Sequence, residues 1–359
     1  MTISSFLGGS PSRRSSKQTY WYQLKKYLRY VQPHFKGTSI EDFEPLAKSY
    51  LVAVKAGARD LVKDLRGACA QCNTPSTASS LRSSVLEYLR FHDFFPDERT
   101  LYHLRKGRKP IRAVTVDRPL GVEDLQKILA QMDVRARAVT YVMLSSGARI
   151  GEVLALGLGS DRVDADLDLV ARPAKITIRE TKTGQPRISF ISQEAAAAVQ
   201  DYLKVRDRYV ASARARHGAG LEGLLFPVSY RTFQGVWALA VRKAGLEKHD
   251  PRTRRLVIPP HSCRKFFMSK MKGAGVPDEI VEVLAGHALN LGGAYARYTE
   301  EELAQAFLSG EPAVTITRAA GIEKLEVRLR RQEQQMEDLM KAFEAQKAGR
   351  GELAGDGGG

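Results

Sequence analysis

The chain has 359 residues, 43% of them hydrophobic and 27% charged, which suits about two domains with ordinary cores and is too apolar for a disordered protein. Its 56 Lys and Arg against 40 Asp and Glu give a formal charge of +16 at pH 7, a surplus that favours a polyanionic partner, nucleic acid before any other. No run of about 18 apolar residues and no signal-peptide core is found, so no membrane span is expected and the expected compartment is the cytoplasm.

Residues 1–35 mix Ser and basic residues with Tyr20, Trp21, Tyr22, Tyr27 and Tyr30, and read as an N-terminal arm, either frayed or a short helix. Helical periodicity begins after Thr38 and Ser39, which stand before Glu41 as an N-terminal signal of the capping type. Phe43, Leu46, Ala47, Tyr50, Leu51 and Val54 then recur at helical spacing. Further helices carry Leu61 and Leu65, then Leu81, Val85, Leu89 and Phe91. Residues 36–104 therefore read as a small all-helical domain. Cys69 and Cys72 form a C-x-x-C here, but no second ligand pair accompanies them; they read as two small helix residues, and neither a metal nor a cofactor is expected. Residues 1–114 hold 20 Lys and Arg against 9 Asp and Glu, about two-thirds of the whole surplus in the first third of the chain.

Residues 105–119, with Pro110 and Pro119, read as a basic linker, which would either follow a phosphate backbone or serve as a solvated hinge. A second domain spans 120–310. Helices are expected at 121–132 and 135–146. Residues 174–180 and 186–192 alternate like strands, and Thr181-Lys182-Thr183-Gly184 between them reads as a hairpin tip. Helices follow at 193–216, 230–244, 262–274 and 277–285, the last with Pro277 in its first turn. This order is not strand–helix–strand, so the expected fold is mostly α with a small antiparallel β-hairpin or sheet, not a parallel sheet. Residues 321–346 hold Ile322, Leu325, Leu329, Gln332, Met336, Leu339 and Phe343 at alternating spacings of three and four. That is a short coiled-coil seam or a lone amphipathic helix packing on the body. Residues 347–359 read as a disordered tail.

Breaking a phosphodiester without a metal needs cations for the non-bridging oxygens, an in-line nucleophile, and a general acid for the leaving oxygen. Arginine suits the first task because its fork is planar, bidentate and always charged. Four segments supply such groups. Arg149 stands in Ser146-Gly147-Ala148-Arg149-Ile150-Gly151-Glu152, at the start of a helix, and Lys182 at the hairpin tip. His261 and Arg264 open the helix after Pro259 and Pro260, three apart on one face. Gly286-His287 closes the helix 277–285, with Tyr295 and Tyr298 beyond it. Each feature alone has a bland reading: a surface charge, a solvated tip, a chance H-x-x-R, a capped helix end.

The joint order Arg, Lys, His-x-x-Arg, His, Tyr resembles that of the tyrosine recombinases, the phage-type integrases. The likeness is strongest in SGARIGEVLAL and in PHSCRKFFMSKMKGAGVPDEIVEVLAGHA and covers roughly residues 38–308. ETKTGQPRISFIS and YARYTEEELAQAF look most like archaeal members. The resemblance implies an N-terminal helical core-binding domain of SAM-like type and a catalytic domain, forming a C-shaped clamp on double-stranded DNA. Arg149 and Arg264 would clamp the scissile phosphate, Lys182 would protonate the leaving 5′ oxygen, His261 would assist proton transfer and His287 would donate to a non-bridging oxygen. Tyr295 would attack to give a 3′-phosphotyrosine, with no need of ATP, and Glu152 would buttress the arginine. Tyr295 lies eight residues after His287 and Tyr298 eleven, and the family's usual spacing falls between them, so the register of the nucleophile stays open; Tyr295 is favoured by its distance to the acidic helix after Thr299. The resemblance also implies a homotetramer on two specific DNA sites, with helix 300–308 passed to a neighbouring subunit. A type IB topoisomerase-like relaxing enzyme and a DNA-binding protein without catalysis are the alternatives.

Overall fold

The computed structural model describes residues 2–9, 14–106, 118–158, 166–179, 186–217, 221–251, 253–286, 298–317 and 336. Contacts divide the chain into two compact units, Met1–Val114 and Thr115–Gly359.

The first unit holds α1 (Ile3–Gly9), α2 (Arg14–Val31), α3 (Ile40–Lys55), α4 (Leu61–Ala70), α5 (Pro75–Phe91) and α6 (Glu98–Arg105). The caps follow the sequence. Ser39, Asp60, Thr74 and Asp97 each accept from the amide three residues on, and Asp42 reaches back to Ser39 to complete a capping box. The segment read as an arm is part of this core. Ile3, Phe6, Leu24, Tyr27 and Leu28 are buried in one cluster with Phe43, Leu51, Leu65 and Leu89. Leu24, Tyr27, Leu28 and Val31 recur at spacings of three and four, which gives α2 its apolar stripe. Glu44 accepts from the amides of Ile3 and Ser4 at 2.6 and 2.9 Å, satisfying orphan donors at the start of α1. Tyr27 and Tyr50 share a hydrogen bond between their buried hydroxyls, and Tyr50 passes it on to Asp64 at 3.2 Å.

The second unit runs α7 (Val122–Ala130), α8 (Val134–Ser146), α9 (Ile150–Val153), β1 (Leu167–Asp168), β2 (Ala174–Ile178), β3 (Arg187–Ile191), α10 (Gln193–Leu203), α11 (Arg206–His217), α12 (Tyr230–Lys243), α13 (Ser262–Gly273), α14 (Asp278–Ala285) and α15 (Glu300–Val314). The expected class, mostly α with a small antiparallel sheet, is the one found. The sheet order is β1-β2-β3, all antiparallel, with Ile176 opposite both Leu167 and Ser189. β1 is an addition to the expected hairpin. Helix α8 is the centre of the unit: its residues 138–140 and 142–146 are all buried, against α10 and α13 above all. The helix expected over 193–216 is two helices. No Gly or Pro marks the break; Arg206 turns inward to donate to the carbonyls of Leu224 at 2.6 Å, Leu225 at 3.2 Å and Glu222, a long-range demand that ends α10 at Leu203.

Helix α15 runs six residues beyond the expected 308 and packs on its own unit, burying Leu303, Phe307 and Val314 against Phe190, Phe267 and Met271. Its end is stitched to α10 in both directions. Glu311 accepts from the Gln193 amide at 2.7 Å, and Glu194 accepts from the amides of Ile316 and Thr317 at 2.7 and 3.0 Å. The linker 107–117, the hairpin tip with Lys182, the segment 287–297 with His287 and Tyr295, and the seam and tail beyond 317 apart from Met336 lie outside the described residues. Among the described residues no helix is long and apolar enough to cross a membrane.

Candidate active site

Arg149 owes its position to a glycine. Gly147 ends α8 in the left-handed conformation, φ 63°, and its amide donates to Met143 at 3.1 Å. The chain turns and Arg149 becomes the N-cap of the short helix α9, whose third residue, Glu152, reaches back to the Arg149 amide at 2.9 Å. The same carboxylate accepts from the Arg149 guanidinium, Nη1 to Oε1, at 2.8 Å. Glu152 is 5% exposed and the Arg149 side chain 31%, so the carboxylate sits inside and the arginine reaches partly into solvent.

Arg264 comes from α13. Trp237 Nε1 donates to the Ile258 carbonyl at 2.8 Å and fixes the approach to Pro259 and Pro260, after which the first turn of α13 begins. His261 is the exposed N-cap residue of that helix. Arg264, one turn on, is 1% exposed and among the largest fully buried side chains. Its Nη1 donates to the Gly147 carbonyl at 2.8 Å and to the Ala285 carbonyl, while Nε and Nη2 have no hydrogen-bond partner among the described residues. Burial pushes the guanidinium down to about 10, the charges of Arg149 and Arg187 push the same way, and Glu152 and Glu282 oppose them. It is charged at neutral pH.

Arg187, the first residue of β3, was not singled out in the sequence. It stands with its side chain 3% exposed between the other two arginines. Its Nη2 pairs with Glu152 Oε2 at 2.6 Å and donates to the Ala285 carbonyl at 3.1 Å. The signal that could have found it is the strand alternation: positions 187, 189 and 191 share the buried face of β3, and an arginine there needs a partner. Three guanidinium groups thus gather at the ends of α8, β3 and α14, two of them paired with Glu152 and the third, Arg264, opposed by Glu152 and Glu282. An interior with that balance suits an added anion, and two donors of Arg264 are still available to one.

Helix α14 ends at Gly286, which is left-handed at φ 70° as a glycine C-cap should be; its carbonyl is 3.4 Å from Arg149 Nη1. A Cβ at position 286 would run into the Arg187 guanidinium. His287 and Tyr295 follow outside the described residues. Tyr298 is half-buried against Phe267 and its neighbours, and its hydroxyl donates to Glu279 at 3.0 Å. The structure therefore brings Arg149 and Arg264 together, adds Arg187 and Glu152 between them, and sets His261 at the exposed start of the helix that bears Arg264. Cys69 and Cys72 lie in the first unit, half-buried; Cys69 donates to the Ala78 carbonyl at 3.4 Å, and among the described residues no three His, Cys, Asp or Glu side chains form a metal cluster.

Comparison with known proteins bears on the same residues. The tyrosine recombinase XerD of Corynebacterium glutamicum is 28% identical over 186 residues, 52% of this chain and 55% of that protein. XerD of Mycobacterium leprae is 27% identical over 287 residues, 74% and 83% of the two chains. The chain spans about half the length of several of the curated relatives it matches. Among solved structures, a lambda integrase tetramer bound to a Holliday junction aligns at 14% identity over 81% of this chain and 79% of that one with a TM-score of 0.49, a likeness too distant to carry the argument. What does carry it is the profile of the phage integrase family, which matches residues 119–302, just over half of the chain, and takes in Arg149, Arg187, Arg264 and the end of α14. The chain belongs to the phage integrase family, the tyrosine recombinases.

Proposed function

We propose that this protein is a site-specific DNA recombinase that cuts and rejoins strands through a 3′-phosphotyrosine, without ATP. The observation that carries the reading is Arg264: a buried cation with two unpartnered donors among the described residues, tied through main-chain carbonyls to the turn that presents Arg149. A phosphodiester is an anion with two non-bridging oxygens, and two guanidinium forks held rigidly apart match it better than water does. Negative charge on those oxygens grows as the nucleophile attacks, so donors fixed in advance act most strongly in the transition state.

In this reading Arg149 and Arg264 hold the phosphate, and Tyr295 attacks phosphorus and expels the 5′ oxygen, which Lys182 protonates. His261 serves proton transfer and His287 a non-bridging oxygen. The hydrogen bond and packing of Tyr298 favour Tyr295 as nucleophile, because the half-buried Tyr298 ring packs against the core and its hydroxyl has a carboxylate partner. The partner is double-stranded DNA, drawn by the basic surplus of residues 1–114, and the working assembly is a homotetramer on two sites. The test is a nicked duplex carrying a recombination site, incubated with the protein in EDTA and run on a denaturing gel. A covalent protein–DNA band that disappears with Tyr295→Phe supports the reading. A band lost only with Tyr298→Phe moves the nucleophile, and no band on DNA that the protein binds overturns catalysis.

A further inference from the structure

The three arginines and Glu152 close a ring. Arg149 binds Glu152, Glu152 binds Arg187, Arg187 and Arg264 share the Ala285 carbonyl, and Arg264 returns to the Gly147 carbonyl, two residues before Arg149. Every link in it involves a side chain or carbonyl at the end of an element: α8, α9, β3, α14 and the first turn of α13. Arg187 is the one member from the sheet, and it faces Ile178 across the β2–β3 pairing.

We infer that Arg187 is a positioning residue for the phosphate site. Its Nη2 bridges Glu152 and the Ala285 carbonyl, so it fixes the carboxylate that orients Arg149 and the carbonyl that seats Arg264, and it anchors the start of β3 against the end of α14. A lysine would bring a point charge on a flexible stem, without the planar group that holds Nη2 in place. Stability alone gives weak reason for the arrangement, since a buried ion pair replaced by apolar residues of similar volume is often neutral or stabilising. Placement gives a strong one: a displacement of about 1 Å in a reacting group lowers rates by about 100-fold. The side chain is 3% exposed and its Nη2 pairs with the Glu152 carboxylate, whereas Nη1 of Arg264 bonds main-chain carbonyls.

The rate consequence rests on the DNA-cleaving reading above; the structural consequence does not, and the experiment separates them. Arg187→Met, Arg187→Lys, Glu152→Gln and the double variant Arg187→Met with Glu152→Gln are compared with the wild type in two measurements. The first, without DNA, follows hydrogen exchange of the Arg149 and Arg264 side-chain N–H groups by NMR of arginine-labelled protein. Exchange at Arg149 should quicken by at least about tenfold in Arg187→Met and by less in Arg187→Lys, where one bond to Glu152 can re-form. The second is single-turnover formation of the covalent complex on nicked DNA. Arg187→Met should slow it by about 100-fold with DNA affinity within about twofold of wild type, and the double variant should be no slower than the slower single one, because both act through one link. Unchanged exchange at Arg149 overturns the inference whether or not the protein cleaves. Slow cleavage with unchanged exchange overturns it too, by placing Arg187 on the phosphate itself. Wild-type protein that forms no covalent complex counts against the DNA-cleaving reading, and the exchange measurement then decides the positioning role alone. Should Arg187→Met fail to fold, Arg187→Lys decides: quicker exchange and partial activity uphold the inference, wild-type behaviour in both overturns it.

Discussion

Arg264 donates to the main-chain carbonyl of Gly147, 117 residues earlier in the chain, at 2.8 Å. The glycine that ends α8 and frees Arg149 to cap α9 therefore also seats the second arginine, and the two motifs are assembled by one turn. The carbonyls of Gly147 and Ala285 take only Nη1, so the rest of the Arg264 fork is directed elsewhere.

An anion should fill that role measurably. Inorganic phosphate at ten times its Kd should stabilise the wild type by about 1.4 kcal/mol, read as a rise in Tm against chloride at equal ionic strength, and Arg264→Met should lose most of the rise. The pH dependence follows from the lowered Arg264 value of about 10. The folded state carries this charge, and the burial cost that lowers its pKa, throughout the neutral range. Phosphate relieves that cost, so its stabilising effect through Arg264 should be present across neutral pH. Equal response of wild type and variant would contradict the site.

Gly286→Ala should be disruptive for two reasons. Position 286 is left-handed, which costs a residue with a Cβ about 1–2 kcal/mol, and the Cβ meets Arg187. Urea unfolding should show a loss of at least about 2 kcal/mol, and covalent-complex formation should fall with it. A variant as stable as the wild type would mean that the end of α14 can move away from β3.

Much of this was legible in the chain. Ser39 and Gly286 mark helix ends through local chemistry, though the capping box closes through Asp42 and not the expected Glu41, and strand alternation gives β2 and β3, because these signals depend on residues a few places apart. Arg149 and Arg264 were legible by their motifs. Arg187 was not, since its meaning lies in Glu152 and Ala285, 35 and 98 residues away. The break after α10 was hidden for the same reason: its cause is Arg206 reaching carbonyls at 222–225. The two-residue β1 is too short to show alternation at all.

Removing residues 1–35 should unfold the first unit. Ile3, Phe6, Leu24, Tyr27 and Leu28 are each at most 1% exposed. At about 1.5–3 kcal/mol per side chain their loss approaches the whole stability of a small domain. Far-UV circular dichroism of residues 1–106 against 36–106 checks this; a cooperative melt in the shorter chain would restore the segment to the status of an arm.

Tyr298→Phe should keep the covalent band and shift stability by no more than about 1.5 kcal/mol, because the ring stays packed while the hydrogen bond to Glu279 is lost. Thermal melts and the denaturing gel read the two halves of this statement.

Thiol titration should find two reactive cysteines in the native protein and a third only on unfolding. Cys69 and Cys72 are half-buried, whereas Cys263 is fully buried and burial pushes its thiol pKa well above the ordinary thiol range.

The fit of Gly286 against Arg187 also bears on how such a chain can diverge. The volume that a side chain at 286 needs is taken by the guanidinium, and the guanidinium in turn needs that volume to reach Glu152. The two positions are one unit of variation. A lineage that keeps arginine at 187 must keep glycine at 286, and one that gains a side chain at 286 must first give up the arginine and find Glu152 another partner, so changes at these two places should be inherited together.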